Sequence, residues 1–258
     1  MQTIKLYIKK ATILSLLLLC TMQIASVTKE ELFNQGSNHY NEGNFSDAVN
    51  SWEEILNQGV ESWELYYNIG NAYYRKGELP SAILNYERAL LRAPQNSDIK
   101  YNLDLAYEQT IDDIESVTSF FMSRWFNNLK NIANSNSWAI ISISTFTLAL
   151  IALLFYFFSK TSLLRKISFS LALFTLLLSL IAFNYSNKQM DRLTAQNRAI
   201  IFTPSVTIQS APGAAGSELF ILHEGTKVEV LQKVDNWYQI QIKDGNRGWI
   251  KESDIEII

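Results

Sequence analysis

Apolar positions run along this chain in four successive patterns. Residues 11–20 form a short unbroken apolar run behind Lys5, Lys9 and Lys10. Residues 29–116 mix apolar with acidic positions, and the mixture repeats. Residues 138–158 and 167–185 then carry no charge in runs of 21 and 19 residues. After Arg198 the chain turns to short alternating runs of period two, the pattern of half-buried strands. At 1.5 Å rise per residue the two long runs make helices of about 30 Å, the thickness of a bilayer's hydrocarbon core. As soluble helices they would have to hide every face, so the pattern predicts two membrane spans.

Residues 159–166, SKTSLLRK, link the two runs. So short a link predicts a helical hairpin, and Lys160, Arg165 and Lys166 mark it as cytoplasmic. Lys188, Arg192 and Arg198 make the far flank basic too, so the N-terminus decides the orientation. Residues 1–26 have the layout of a signal peptide, with Ala25 and Ser26 offering a cleavage site. An uncleaved anchor would leave the following segment on the same side of the membrane. Lipidation would need a small residue before Cys20, where Leu19 stands. Both large flanks are therefore expected on the periplasmic face. Ser142, Thr145, Ala149 and Ala152 match Ala172, Thr175, Ser179 and Ala182 in spacing, a pair of faces suited to close helix packing. With no ionisable side chain inside either span, transport has no carrier.

Compared with itself at an offset of 34, the chain repeats: Asn34, Gly36, Tyr40, Gly43, Ala48 and Leu56 recur as Asn68, Gly70, Tyr74, Gly77, Ala82 and Leu90. Trp52 is matched by Tyr86. This period belongs to stacked helix–turn–helix units. Gly36 and Gly70, with Ala48 and Ala82, fall where antiparallel helices approach closely, and Gly43 and Gly77 make turns. The second unit, Tyr66-x-x-Ile69-Gly70-x-x-Tyr73 followed by Ala82, Tyr86, Ala89 and Pro94, resembles a tetratricopeptide repeat. The first unit departs from it at Gln35, His39 and Val60. A third start at Tyr101-Asn102-Leu103 has no second half and reads as a capping helix.

The resemblance implies a partner-binding concave face formed by the first helix of each unit. Its positions are Phe33, Ser37, Tyr40 and Asn41, then Tyr67, Asn71, Tyr74 and Arg75, then Tyr101. These aromatics could equally serve only to fill the packing. Asn34, Asn68 and Asn102 share one repeat position, which some family members use to hold a peptide backbone and others keep as consensus. With Arg75 alone there is no basic clamp for an acidic C-terminus. Residues 117–137, with Phe120, Phe121, Trp125 and Phe126, read either as a helix lying in the membrane interface or as an extension of the repeats.

In residues 199–258, runs at 206–208, 227–231, 237–242 and 248–250 read as strands, with turn signals at Pro212-Gly213, Gly225, Asp235-Asn236 and Asp244-Gly245. Five short strands in so few residues predict a small bent barrel. The Glu224-Gly225-Thr226-x-Val228 turn, Trp237 and the Asp244-Gly245-x-x-Gly248-Trp249-Ile250 ending resemble the bacterial type of SH3 domain. The aromatic segment with which eukaryotic relatives bind proline-rich ligands is missing. Some bacterial relatives bind cell-wall peptides, which makes Trp237, Tyr238 and Trp249 contact candidates. Against that, both tryptophans also suit the core of a closed barrel.

Composition narrows the chemistry further. Residues 29–116 hold 16 acidic and 6 basic side chains, a local net of −10, and such a surface repels nucleic acid. One cysteine and two histidines leave no basis for a disulfide framework, a Cys- or His-rich metal site or a catalytic thiol. Carboxylate pairs such as Glu53/Glu54 and Asp112/Asp113 are sequence neighbours, which diverge by about 100° around a helix and cannot address one bond. No enzymatic activity and no cofactor are expected.

The fold class is thus multidomain: an all-α repeat solenoid at 29–116, the segment 117–137, a hairpin of spans at 138–158 and 167–185 joined through 159–166, a linker at 186–198, and an all-β SH3-like barrel at 199–258. This order of parts resembles the E-type components of the Bacteroides aerotolerance operon. The resemblance implies a bacterial inner-membrane protein working with von Willebrand A-type membrane proteins and a MoxR-type ATPase. On this reading the chain is a periplasmic scaffold contacting protein partners and membrane lipid. A tether to peptidoglycan through the barrel is the alternative.

Overall fold

The computed structural model describes residues 28–112, 114, 132–195, 197–213 and 216–258. The signal segment at 1–26 and positions 117–131 of the aromatic segment lie outside the described residues. The chain divides into two compact units, Met1–Val60 and Glu61–Ile258.

In the first unit, α1 (Lys29–Asn41) and α2 (Phe45–Asn57) form one helical pair. Thr28 caps α1, its hydroxyl accepting from Glu31 N at 3.2 Å while Glu31 accepts from Thr28 N at 2.8 Å. This reciprocal box satisfies two amides that the first helical turn would otherwise leave open. A Cβ on Gly36 would stand 2.5 Å from Trp52 Nε1, so only glycine lets the Trp52 indole lie across α1. The indole is 2% exposed and donates to Phe33 O.

The second unit begins with α3 (Trp63–Lys76), α4 (Leu79–Arg92) and α5 (Ser97–Tyr107). Gly77, at φ 79°, ends α3 in the left-handed conformation, which costs glycine least. The close approach recurs: a Cβ on Gly70 would meet Tyr86 Cδ1 at 2.7 Å.

Two long helices follow, α6 (Ser135–Phe158) and α7 (Ser162–Thr194), each long and apolar enough to cross a membrane. They pack as an antiparallel hairpin. Only three residues, 159–161, stand between them, and the basic link expected at 159–166 is mostly the first turn of α7, with Arg165 Nε donating to Ser159 O at 2.9 Å. Helix α7 also continues past residue 185. The helical hydrogen-bond ladder is local and persists in polar sequence, so hydropathy marks a candidate span rather than the helix that contains it. The seam is built of small residues: Ser135, Ser142, Ala149 and Ala152 against Ala172, Thr175, Ser179, Ala182 and Ser186 are all buried. Thr145, expected in it, is half-buried and turns its hydroxyl onto Ile141 O and Ser142 O of its own helix.

The chain ends in a seven-stranded antiparallel sheet of order β3-β2-β6-β5-β4-β1-β7. The strands are β1 (Arg198–Ile201), β2 (Ser205–Gln209), β3 (Glu218–His223), β4 (Lys227–Val234), β5 (Trp237–Gln241), β6 (Arg247–Lys251) and β7 (Ile255–Ile257). Its core is Ala199, Ile201, Ile208, Leu222, Val228, Ile240, Ile242 and Ile250. Seven strands stand where five were expected. β1 opens at the boundary of the presumed linker, and Leu219–Leu222 in β3 is an unbroken apolar run without the alternation that marks a strand. Ile200, between Ala199 and Ile201 in β1, points the other way from that core. It joins Ala82, Ile83, Leu84, Tyr86, Leu103 and Ala106 of the repeat helices, with Phe202 and Ile258 packed alongside. The barrel is therefore seated on α4 and α5.

Candidate partner-binding surfaces

On the α3–α5 face, a polar network ties sequence-predicted positions to one another. Asn71 Oδ1 accepts from Tyr86 Oη at 2.8 Å and from Asn102 Nδ2 at 2.9 Å. The same Asn102 nitrogen donates its second hydrogen to Tyr67 Oη at 2.9 Å. The two amides are joined oxygen to NH2, and the tyrosine hydroxyls, which can donate or accept, complete the pair in either of its two joint orientations. In either orientation one amide of the pair keeps a donor for a ligand and the other an acceptor. Gln109 Nε2 donates to Tyr74 Oη farther along the face. Tyr101 is 65% exposed on α5, and Arg75 is exposed on the last turn of α3.

Phe33 and Tyr40 belong to the first compact unit, where both rings flank Trp52 with centroids 6.4 and 6.1 Å away. In the sequence Tyr86 stands out only as a motif position matching Trp52, yet its hydroxyl bonds Asn71. Asn102 is already marked by the 34-residue period.

The barrel offers a second surface. Trp237 is half-buried at the start of β5, with Lys251 Nζ 5.8 Å from its ring centroid. Tyr238 packs against the barrel core, and its hydroxyl donates to Glu252 at 3.3 Å. Trp249 is 8% exposed and belongs to the interior.

Two titratable groups lie where the barrel meets the repeat. Burial and then the Glu87 carboxylate push the Tyr107 hydroxyl well above the ordinary tyrosine range. Burial acts against an ionised Asp112, but hydrogen bonds from Thr226 and His223 outweigh it and hold the carboxyl below its usual value. Among the described residues no three His, Cys, Asp or Glu side chains converge as a metal site.

Comparison with known families assigns both modules. Residues 33–103 match the tetratricopeptide repeat, and residues 204–256 match the bacterial SH3 domain. No curated protein matches the chain. Domains of both kinds are typically non-catalytic and serve interaction, with protein partners for the repeats and peptidoglycan among the ligands considered for the barrel.

Proposed function

We propose that the protein is a membrane-anchored scaffold whose repeat face recruits a protein partner. The observation that carries this reading is the hydrogen-bonded amide pair of Asn71 and Asn102. One free donor beside one free acceptor matches the two hydrogen-bonding groups of a peptide unit, and Tyr67 stands beside the pair. The proposed anchor is the hairpin of α6 and α7, with spans at 138–158 and 167–185. The proposed setting is the periplasmic face of a bacterial inner membrane, supported by the signal-like residues 1–26 and by the seating of the barrel on the repeat. Two flanks that share a core have to lie on one side of the bilayer. An aerotolerance-type complex with von Willebrand A-type proteins and a MoxR-type ATPase rests on the order of the parts alone.

Affinity purification of the intact protein from mild detergent tests the reading. Tyr67→Ala with Tyr74→Ala should remove partners that co-purify with the wild type. If every partner is retained, the repeat face is not the recruiting surface.

The second reading, a cell-wall tether, is favoured by the bacterial SH3 match and by Trp237 at the barrel surface. The micelle-bound protein should then co-sediment with peptidoglycan sacculi, and Trp237→Ala should release it. Sedimentation no greater than that of an unrelated micellar protein sinks the tether.

A further inference from the structure

The turn between β3 and β4 meets the end of the repeat through hydrogen bonds and close packing. His223 N donates to Asp112 Oδ2 at 2.7 Å, and Thr226 Oγ1 donates to the same oxygen at 2.7 Å. His223 Nδ1 lies 2.8 Å from Asp112 Oδ1; an ionised carboxylate only accepts, so this nitrogen carries the proton. Gly225, at φ 82°, fits against Thr110 and Ile83, where a Cβ would stand 2.8 Å from Thr110 Cγ2 and 3.1 Å from Ile83 Cδ1. Lys227 Nζ meets Glu87 Oε2 at 2.6 Å, and Tyr107 Oη reaches the other Glu87 oxygen at 2.8 Å. On the other side of β1, where Glu256 pairs with Ile200 as Lys227 does, Arg88 of α4 binds Glu256 Oε1 at 3.1 Å and Ile257 O at 2.8 Å.

The two halves are complementary in a way that neither could keep alone. The side chains of Glu87 and Asp112 are only 6% and 13% exposed, and a buried carboxylate without a donor is costly. Lys227 serves the first; His223 and Thr226 serve the second. The barrel also supplies Ile200, Phe202 and Ile258 to the apolar surface of α4 and α5, which lacks the second half of a following repeat to cover it.

We infer that the turn 223–227 is a docking key by which the barrel caps the end of the repeat. The chain's own second repeat is thus a binding partner of the SH3-like barrel, and whatever binds either surface meets a single body. Because α6 and α7 come between the two halves in sequence, that body is completed only after both helices have been made.

Hydrogen exchange on the intact protein in detergent micelles tests it. Lys227→Glu and Glu87→Lys should each speed amide exchange in α4 and α5 by on the order of tenfold. The combined swap, Glu87→Lys with Lys227→Glu, should return most of that protection. Lys233→Glu breaks a pair with Glu252 on the barrel surface and should leave α4 and α5 unchanged. Should Lys227→Glu not accumulate, Lys227→Met strips the charge from the turn and gives the same reading. Wild-type exchange in α4 and α5 for both single variants, or a swap that recovers nothing, overturns the docking key.

Discussion

The barrel–repeat junction and the hairpin seam both hold elements together within one compact unit, and they use opposite residues. The junction is built of large apolar side chains, two nearly buried carboxylates and their cationic or hydroxyl partners. The seam is built of serine, threonine and alanine, and its polar groups are answered in matched pairs. Ser142 Oγ donates to Ser179 O and Ser179 Oγ to Ser142 O, both at 3.0 Å. Seven residues away on each helix, Ser135 and Ser186 repeat the exchange at 3.1 and 3.0 Å. The difference follows from the solvent each seam would displace. In water, burying Ile200 or Phe202 stabilises at about 25 cal/mol per Å2 of apolar area. In the membrane setting proposed for α6 and α7 that gain disappears, because the acyl chains are as apolar as leucine. Close backbone approach and satisfied hydroxyls are left to hold the pair. The outward faces agree, with Ile143, Phe155, Leu180 and Phe183 each more than half exposed.

The largest effect should come from emptying the water-side seam. Ile200 is fully buried against α4 and α5, so Ile200→Ala removes apolar area and leaves a cavity, costing about 2–5 kcal/mol. Thermal unfolding in micelles, followed by exchange in α4 and β5, should show both losing protection. A barrel that melts early while α4 holds would mean that the two halves are only in contact. Overfilling the hairpin seam comes next. Ser179→Leu places a large side chain where the helices meet, at a cost of about 1–3 kcal/mol. In a Cys20→Ser background, Ser135→Cys and Ser186→Cys should oxidise readily to one disulfide, and adding Ser179→Leu should cut the yield. An unchanged yield would show that the seam tolerates bulk as a soluble interface does.

The hairpin was far more legible in the sequence than the junction. Two uncharged runs and a three- and four-residue spacing of small side chains located the seam, because helix period and hydropathy are local properties. The 34-residue period likewise identified Gly36 and Gly70 as sites of close approach, and the Trp52 and Tyr86 rings indeed stand there. The junction has no such local trace. Lys227 and Glu87 are 140 positions apart, and His223-Glu224-Gly225-Thr226 reads equally well as an ordinary barrel turn. Ile200 falls within the range assigned to the barrel, but ahead of the first run that reads as a strand, at 206–208. At the repeat face, periodicity marked Asn102 but could not show that Tyr67 and Tyr86 bracket the Asn71–Asn102 pair.

Acid should weaken the junction and spare the seam. Asp112 titrates lower in the folded protein than its ordinary value of 3.8. Its contribution to stability is therefore full above that value and is lost as pH falls through the folded-state value. The seam residues do not titrate. Exchange in α4 and α5 should rise below about pH 4. The yield of the crosslink between positions 135 and 186, with oxidant applied at neutral pH after the acid exposure, should stay constant. Asp112→Asn should flatten the acid dependence of α4 and α5. An acid response in that variant as steep as the wild type's would assign it to other carboxylates.

The smallest effect should be the most informative about the seam. Ser142→Ala removes one hydroxyl but leaves Ser179 Oγ a bond to the residue 142 carbonyl, so no donor is stranded. The cost should be about 0.6 kcal/mol, the usual size for a polar contact between membrane helices, where the separated helices also find partners. Ser179→Ala should match it because the pair is symmetric. The double variant should cost no more than the two singles together, since each hydroxyl bonds a backbone carbonyl rather than depending on the other hydroxyl. At the junction the same cycle should behave differently. Glu87 and Lys227 answer each other directly, so losing Lys227 leaves a nearly buried carboxylate with the Tyr107 hydroxyl but no cation, and losing both leaves no unmatched charge. An additive Glu87–Lys227 cycle beside a strongly coupled Ser142–Ser179 cycle would reverse the contrast and place the hairpin seam, rather than the junction, in water.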